Sequence, residues 1–127
     1  MSPGKIAATR LDAEARSDAD ETMRAHWLVQ DGQLVFDGKG ENLCTSRDYG
    51  DFELLVDWKI PAGADSGIYL RGSPQLQIWD PAHKPQWTHG ADQGSGALWN
   101  NQRGGQRPLV CADNPIGEWN TFFVRMV

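Results

Sequence analysis

The stretch ADSGIYLRGSPQLQIWD, residues 64–80, decides how this chain is read. It scans as two short strands around Gly72, Ser73 and Pro74, a turn by composition. Residues two apart on a strand share a face. In the first strand Tyr69 and Arg71 then oppose Ile68 and Leu70. In the second, Gln75, Gln77 and Trp79 oppose Leu76, Ile78 and Asp80. If the strands pair, one face is aliphatic and the other carries an arginine, two amides and two aromatic rings.

Working outward, every neighbour speaks the same period. FELLVDWKIP (52–61) alternates, with Phe52, Leu54, Val56, Trp58 and Ile60 on one side and Glu53, Leu55, Asp57 and Lys59 on the other. WLVQDGQLVFDG (27–38) holds Asp31-Gly32, the dipeptide of a two-residue type I′ hairpin turn. PAGADSG (61–67) and LWNNQRGGQRP (98–108) are loops by composition, and WNTFFVRMV (119–127) closes the chain as a strand. Only RLDAEARSDADETMRAHW (10–27) has helix-forming composition, with sparse apolar positions at Leu11, Ala15 and Met23. The expectation is an all-β sandwich of antiparallel sheets with a short N-terminal helix and no helical period after residue 25. Residues 1–25 form a helical linker segment and residues 26–127 the β domain. The apolar run FFVRMV reaches Val127 with nothing after it to cover an edge, so the domain is expected to be cut short and to self-associate through exposed edge strands.

Composition narrows the partners. The 127 residues carry a formal charge of −5 and no basic run, which argues against nucleic acid. No apolar stretch approaches the roughly 20 residues of a membrane helix, and the N-terminus has no signal-peptide core. Cys44 and Cys111 define no framework and are expected to stay reduced. Six tryptophans exceed what one small core needs. Trp79, Trp87 and Trp99 therefore tip the polar face towards a carbohydrate, whose C–H faces stack on indole and whose hydroxyls need amide and guanidinium partners. The plain alternative is a solvated sheet face. Candidate acids and bases are Glu53, Asp57, Asp80, His83, His89 and Asp92. The loop DPAHKPQWTHGADQGSG (80–96) gathers four of them as a candidate metal or acid–base cluster. The signatures of serine hydrolases, P-loop enzymes and zinc proteases are absent.

The runs DYGDFELLVDWKIPAGADSGIYLRGSPQLQIWD, GSGALWNNQ and ADNPIGEWNTFFVRMV together resemble the 3-keto-disaccharide hydrolase domain family, over residues 26–127. The resemblance implies a concanavalin A-like jelly roll with a carbohydrate-facing sheet. It also implies hydrolase action on glycosides already oxidised at C3: a base takes the acidified C2 proton, the aglycone leaves C1 by β-elimination, and water adds back. It assigns Glu53, Arg71 and Asp80 as catalytic, with Arg71 at the sugar or its enolate and Glu53 or Asp80 as base. Tyr69, Gln75, Gln77, Trp79 and Trp99 would bind substrate. A divalent cation, Ca²⁺ or Mn²⁺, is associated with the family but is not placed on residues here. Family members are often periplasmic or secreted, against the missing signal peptide. Gln75 stands where relatives carry glutamate, and an amide cannot take a proton. The second reading is therefore a non-catalytic, lectin-like carbohydrate-binding module.

Overall fold

The computed structural model describes residues 13–127. Leu11, the first apolar position of the expected helix, lies outside them. The chain divides into two compact units, Met1–Asp48 and Tyr49–Val127. The first takes in the helix and the 27–38 hairpin together, whereas composition alone changes character at residue 25.

In the first unit, α1 (Ala13–His26) ends with Arg24 and His26 in its last turn, where cations complement the helix dipole. Strands β1 (Trp27–Gln30) and β2 (Gln33–Phe36) pair antiparallel, Gln30 opposite Gln33. Asp31 and Gly32 bridge them with φ of 50° and 73°, the two left-handed residues a type I′ turn requires. Trp27 and Phe36, opposite each other in the register, stack at 4.4 Å. A lone hairpin is marginal in water, and this one is tied back to the helix end. His26 Nδ1 lies 2.9 Å from Asp37 Oδ2, and the Asp37 N–H donates to the His26 carbonyl at 3.2 Å. The His26 hydrogen bond, then the Lys39 backbone N–H, lower the Asp37 carboxyl below its ordinary value of 3.8. A depressed carboxylate contributes stability that is complete above its unfolded value and is lost as pH falls through the folded one. The tie should accordingly hold at pH 5–7 and loosen below about 3.8. Chemical shifts of the Asp37 carboxyl and of the Lys39 amide, followed through that range, check this. Asp37→Asn should abolish the dependence.

The second unit is built on β3 (Phe52–Trp58), β4 (Asp65–Tyr69), β5 (Gln75–Trp79) and β6 (Asn120–Met126). β3 pairs antiparallel with β6 from Phe52–Met126 to Trp58–Asn120, and β4 with β5 from Asp65–Trp79 to Tyr69–Gln75. The alternation read in 52–61 is real: Phe52, Leu54, Val56 and Trp58 turn inward, and Glu53, Leu55 and Asp57 outward. Phe122 opposes Val56 in the register and its ring packs against that of Trp58 at 5.2 Å. On the outer face Leu55 and Phe123, opposite each other, are 72% and 61% exposed.

β5 departs from the expectation. Every one of its residues is buried, on both faces. The cause is a third extended segment on its far edge, joined by the Leu76–Leu98 bridge. Gln77 N–H donates to Ala97 O, and Trp99 N–H to Gln75 O. Side chains extend the ladder at both ends, since Asn100 Oδ1 accepts from Gln75 N–H at 2.6 Å and Ser95 Oγ from Trp79 N–H at 3.2 Å. A central strand with both edges satisfied is the natural seat of a core. The all-β reading holds, with one difference. The 80–96 loop contains two 3₁₀ helices, Lys84–His89 and Ala91–Gln93, too short to leave a 3.6-residue signature. Among the described residues, no helix is long and apolar enough to cross a membrane. Cys44 and Cys111 are free and exposed.

Candidate functional site

The β4–β5 register puts Tyr69 opposite Gln75, Gly67 opposite Gln77 and Asp65 opposite Trp79. The Leu76–Leu98 bridge places Trp99 across from Gln75 and Ala97 across from Gln77. All five expected sugar contacts, Tyr69, Gln75, Gln77, Trp79 and Trp99, therefore share one face of the three-stranded unit. Their exposure differs from the expected open platform. Gln75, Gln77 and Trp79 are 6%, 3% and 3% exposed, while Tyr69 is half-buried and Trp99 40% exposed.

The buried members are engaged with the protein itself. Gln77 Nε2 donates to Asp65 Oδ1 at 2.6 Å and to Ser66 O at 3.0 Å. Gln75 Nε2 reaches Ser66 O at 3.4 Å, its amide lying over Gly67, where any Cβ would collide with it. Trp79 Nε1 donates to Gly94 O at 2.8 Å. Buried amides whose NH₂ groups are paired in this way help to fix a core. Of these five, only Tyr69 and Trp99 leave aromatic surface for a ligand.

Arg71 is not on the strand. It occupies the turn at φ +50°, and its guanidinium reaches across to the entry of β3. Nε and Nη2 donate to Gly50 O at 2.9 and 2.7 Å, and Nη2 also meets Asp51 Oδ1 at 2.8 Å. Nη1 makes no bond among the described residues. Asp51 directly precedes β3, and Glu53, two residues on, follows it by about 7 Å along the same side. The Glu53 carboxylate is exposed and lies 3.7 Å from Arg125 Nε. The turn of one hairpin and the start of another strand thus bring Arg71 and Asp51 together, two residues before Glu53, at the end of the sheet that carries Tyr69 and Trp99.

Asp80 is at the opposite end of β5 from that corner, at least about 13 Å along the strand. It is buried, and both carboxylate oxygens accept backbone N–H groups, Oδ2 from Gly63 and Oδ1 from Ala82, each at 2.8 Å. Its N–H donates to Ala64 O. These bonds make Asp80 the anchor of the 61–65 loop and of the turn leading to the first 3₁₀ helix. Asp80→Asn leaves one buried N–H facing an amide NH₂. It should lower unfolding free energy by about 1–3 kcal/mol, read as a urea midpoint shift with faster amide exchange at Gly63 and Ala82. A change within about 0.5 kcal/mol, the range of an ordinary surface site, would contradict this anchoring role.

The metal cluster that 80–96 offered as one of two readings is not assembled. Asp80 turns inward, and among the described residues no group of three or more His, Cys, Asp or Glu side chains could hold a metal ion. These residues do not fit a bound Ca²⁺ or Mn²⁺. A crevice is lined by Trp58, Ile60, Trp79, Asp113, Ile116 and Asn120, two of whose buried atoms, Trp58 Nε1 and Asp113 Oδ1, have no hydrogen-bond partner among the described residues. It leaves no room for a water molecule.

Sequence reasoning missed Asp65, Gln86 and Asn100. Asp65 accepts from Gln77 on Oδ1 and from Gln86 Nε2 on Oδ2 at 3.0 Å. Gln86 is 21 residues from Asp65, and Asn100 is 25 from Gln75, so no local pattern announces either contact.

The profile of the 3-keto-alpha-glucoside-1,2-lyase-like domain matches residues 12–127. A 3-keto-disaccharide hydrolase of Bacteroides thetaiotaomicron is 24% identical over 138 residues, covering 83% of this chain. The chain spans 46% of that protein's length. No solved structure matches.

Proposed function

This chain belongs to the 3-keto-alpha-glucoside-1,2-lyase-like domain family, and from that premise we propose that it contributes to cleavage of 3-keto-glycosides, on part of a concanavalin A-like jelly roll. The single observation that carries the catalytic part is the bracing of Arg71 by Gly50 O and Asp51 at the entry of β3, two residues before Glu53 and at the end of the hairpin that bears Tyr69. The exposed Leu55–Phe123 face supports the jelly roll, because a sheet face of that kind is normally packed under a second sheet.

The chemistry asks little of the protein. A ketone at C3 acidifies the C2 hydrogen. A base removes it, electrons move onto the C3 oxygen as an enolate, and the C1–O bond to the aglycone breaks with protonation of the departing oxygen. Water then adds its hydroxyl to C1 and a proton to C2. Glu53 takes the base role in this reading because its carboxylate is exposed at the start of β3, two residues after the Asp51 that meets Arg71. Arg71 is held rigidly by Gly50 and Asp51, and Nη1 is the donor left for the enolate oxygen, an arrangement that needs no reorganisation during the reaction. Tyr69 and Trp99 supply the stacking surface. Asp80, the other acid–base candidate, acts in this account by holding its loop.

The second reading is a carbohydrate-binding module without turnover. Gln75 favours it, because a buried amide cannot take a proton. Glu53→Gln separates the two. Under the catalytic reading it removes aglycone release from a 3-keto-glucoside and leaves the sugar's dissociation constant nearly unchanged. Saturable binding by the unaltered chain, with no release in either protein, would favour the module.

A further inference from the structure

The hairpin of the first unit carries a covalent chemistry that the corner at Arg71 does not use. The chain has two Asp-Gly dipeptides, Asp31-Gly32 and Asp37-Gly38. In such a pair the glycine nitrogen can attack the side-chain carboxyl carbon of the aspartate before it, because no Cβ crowds the approach. Water leaves with one carboxyl oxygen, and a cyclic imide closes. Water then adds back at either imide carbonyl. Opening at the side-chain carbonyl restores aspartate, and opening at the main-chain carbonyl leaves the backbone running through Cβ as isoaspartate. One water leaves and one enters, so the sequence of steps needs no oxidant and no further reactant.

Closure requires room around the glycine nitrogen and a carboxyl free to turn onto it. Room does not separate the two pairs. Gly32 and Gly38 have φ of 73° and 83°, and a Cβ on either would meet nothing within 4 Å. Neither nitrogen donates to a backbone carbonyl in a turn or loop among the described residues. The carboxyls do separate them. Asp37 Oδ1 accepts the Lys39 N–H at 2.9 Å, and Oδ2 lies 2.9 Å from His26 Nδ1. Those bonds hold its carboxyl below the ordinary range, and an ionised group fixed on both oxygens is a poor electrophile. Asp31 is exposed at the hairpin tip, with no hydrogen bond to its side chain among the described residues.

We propose that Asp31 is a site of spontaneous backbone isomerisation, through an imide closed by the Gly32 nitrogen, and that the His26–Asp37 tie protects the second pair from the same reaction. Asp31 and Gly32 are the whole of a two-residue turn, whose length sets Gln30 opposite Gln33 and Trp27 opposite Phe36. One extra backbone carbon at the tip breaks that match, so the hairpin opens from its turn. The site shares no residue with the Arg71 corner, and it stands or falls apart from turnover.

The test incubates the whole unaltered chain at mildly acidic pH in water labelled with heavy oxygen. Peptide mass spectrometry with electron-transfer fragmentation then locates the label and tells isoaspartate from aspartate. Each passage through the imide leaves one heavy oxygen on the residue, whichever carbonyl opens. Label and isoaspartate should build up at residue 31 at least about tenfold faster than at residue 37, because two hydrogen bonds to a charged group must break before Asp37 reacts. Amide exchange at Gln33 should quicken in the isomerised fraction. His26→Ala should raise labelling at residue 37 and leave residue 31 as it was. The main comparison lies between two sites of one unaltered chain, so it decides the matter even if His26→Ala loosens the hairpin. No label at residue 31, equal rates at the two pairs, or a faster reaction at residue 37 would each overturn the proposal.

Discussion

Trp79→Ala is expected to reduce unfolding free energy by about 3–5 kcal/mol, the cost of emptying a buried indole site. Trp79 is 3% exposed at the end of the central strand, and its indole N–H is paired to Gly94 O. The same mutation strands that carbonyl and opens the seam where Trp79 and Trp58 line one crevice. For a domain whose whole stability is about 5–15 kcal/mol, the variant should be largely unfolded at moderate urea. Trp79→Phe keeps most of the packing and loses only the hydrogen bond, so it should lie between the two. If Trp79 instead formed an exposed sugar platform, both variants would keep the parental urea midpoint and lose only ligand.

The largest functional effect is expected at Arg71. If Nη1 meets the developing enolate, Arg71→Ala should lower turnover of a 3-keto-glucoside by about 10²–10³-fold, the usual loss on removing one preorganised donor. Stability should fall much less, because the Arg71–Asp51 pair is largely solvent-exposed and pairs of that kind contribute about 0–1 kcal/mol. Arg71→Lys restores the charge but not the paired donors to Gly50 O, and should recover only part of the rate. Equal losses of turnover and folded protein would mean that Arg71 only ties the hairpin to β3.

Much of the fold could be read from local chemistry. Asp31-Gly32 gave away the first hairpin because few other residues adopt two successive left-handed conformations. The alternation of 52–58 and 120–126 marked strands with one inward face, and both faces lie where it put them. What could not be read was set by distant partners. Gln75, Gln77 and Trp79 look like a polar face because nothing in QLQIWD says that Ala97, Leu98 and Trp99 will close the other edge of the strand. Asp80 looks like a strand-end acid until Gly63 and Ala82 appear on its two oxygens. Arg71 falls on a strand by period, but the turn begins one residue earlier and points it at Gly50. In each case the side chain's type was visible and a distant partner was not; of the partners named, only Ala82 is local to its residue, two positions from Asp80.

The corner at Arg71 carries the central claim, and the most direct test is release of aglycone from a 4-nitrophenyl 3-keto-glucoside by the unaltered chain, with C2 hydrogen exchange in heavy water recorded on the same samples. The account predicts saturable release, accompanied by C2 exchange, with both abolished in Glu53→Gln and strongly reduced in Arg71→Ala. Saturable binding of the keto sugar with neither release nor exchange would contradict it, leaving these strands to recognise a sugar and not to cleave one.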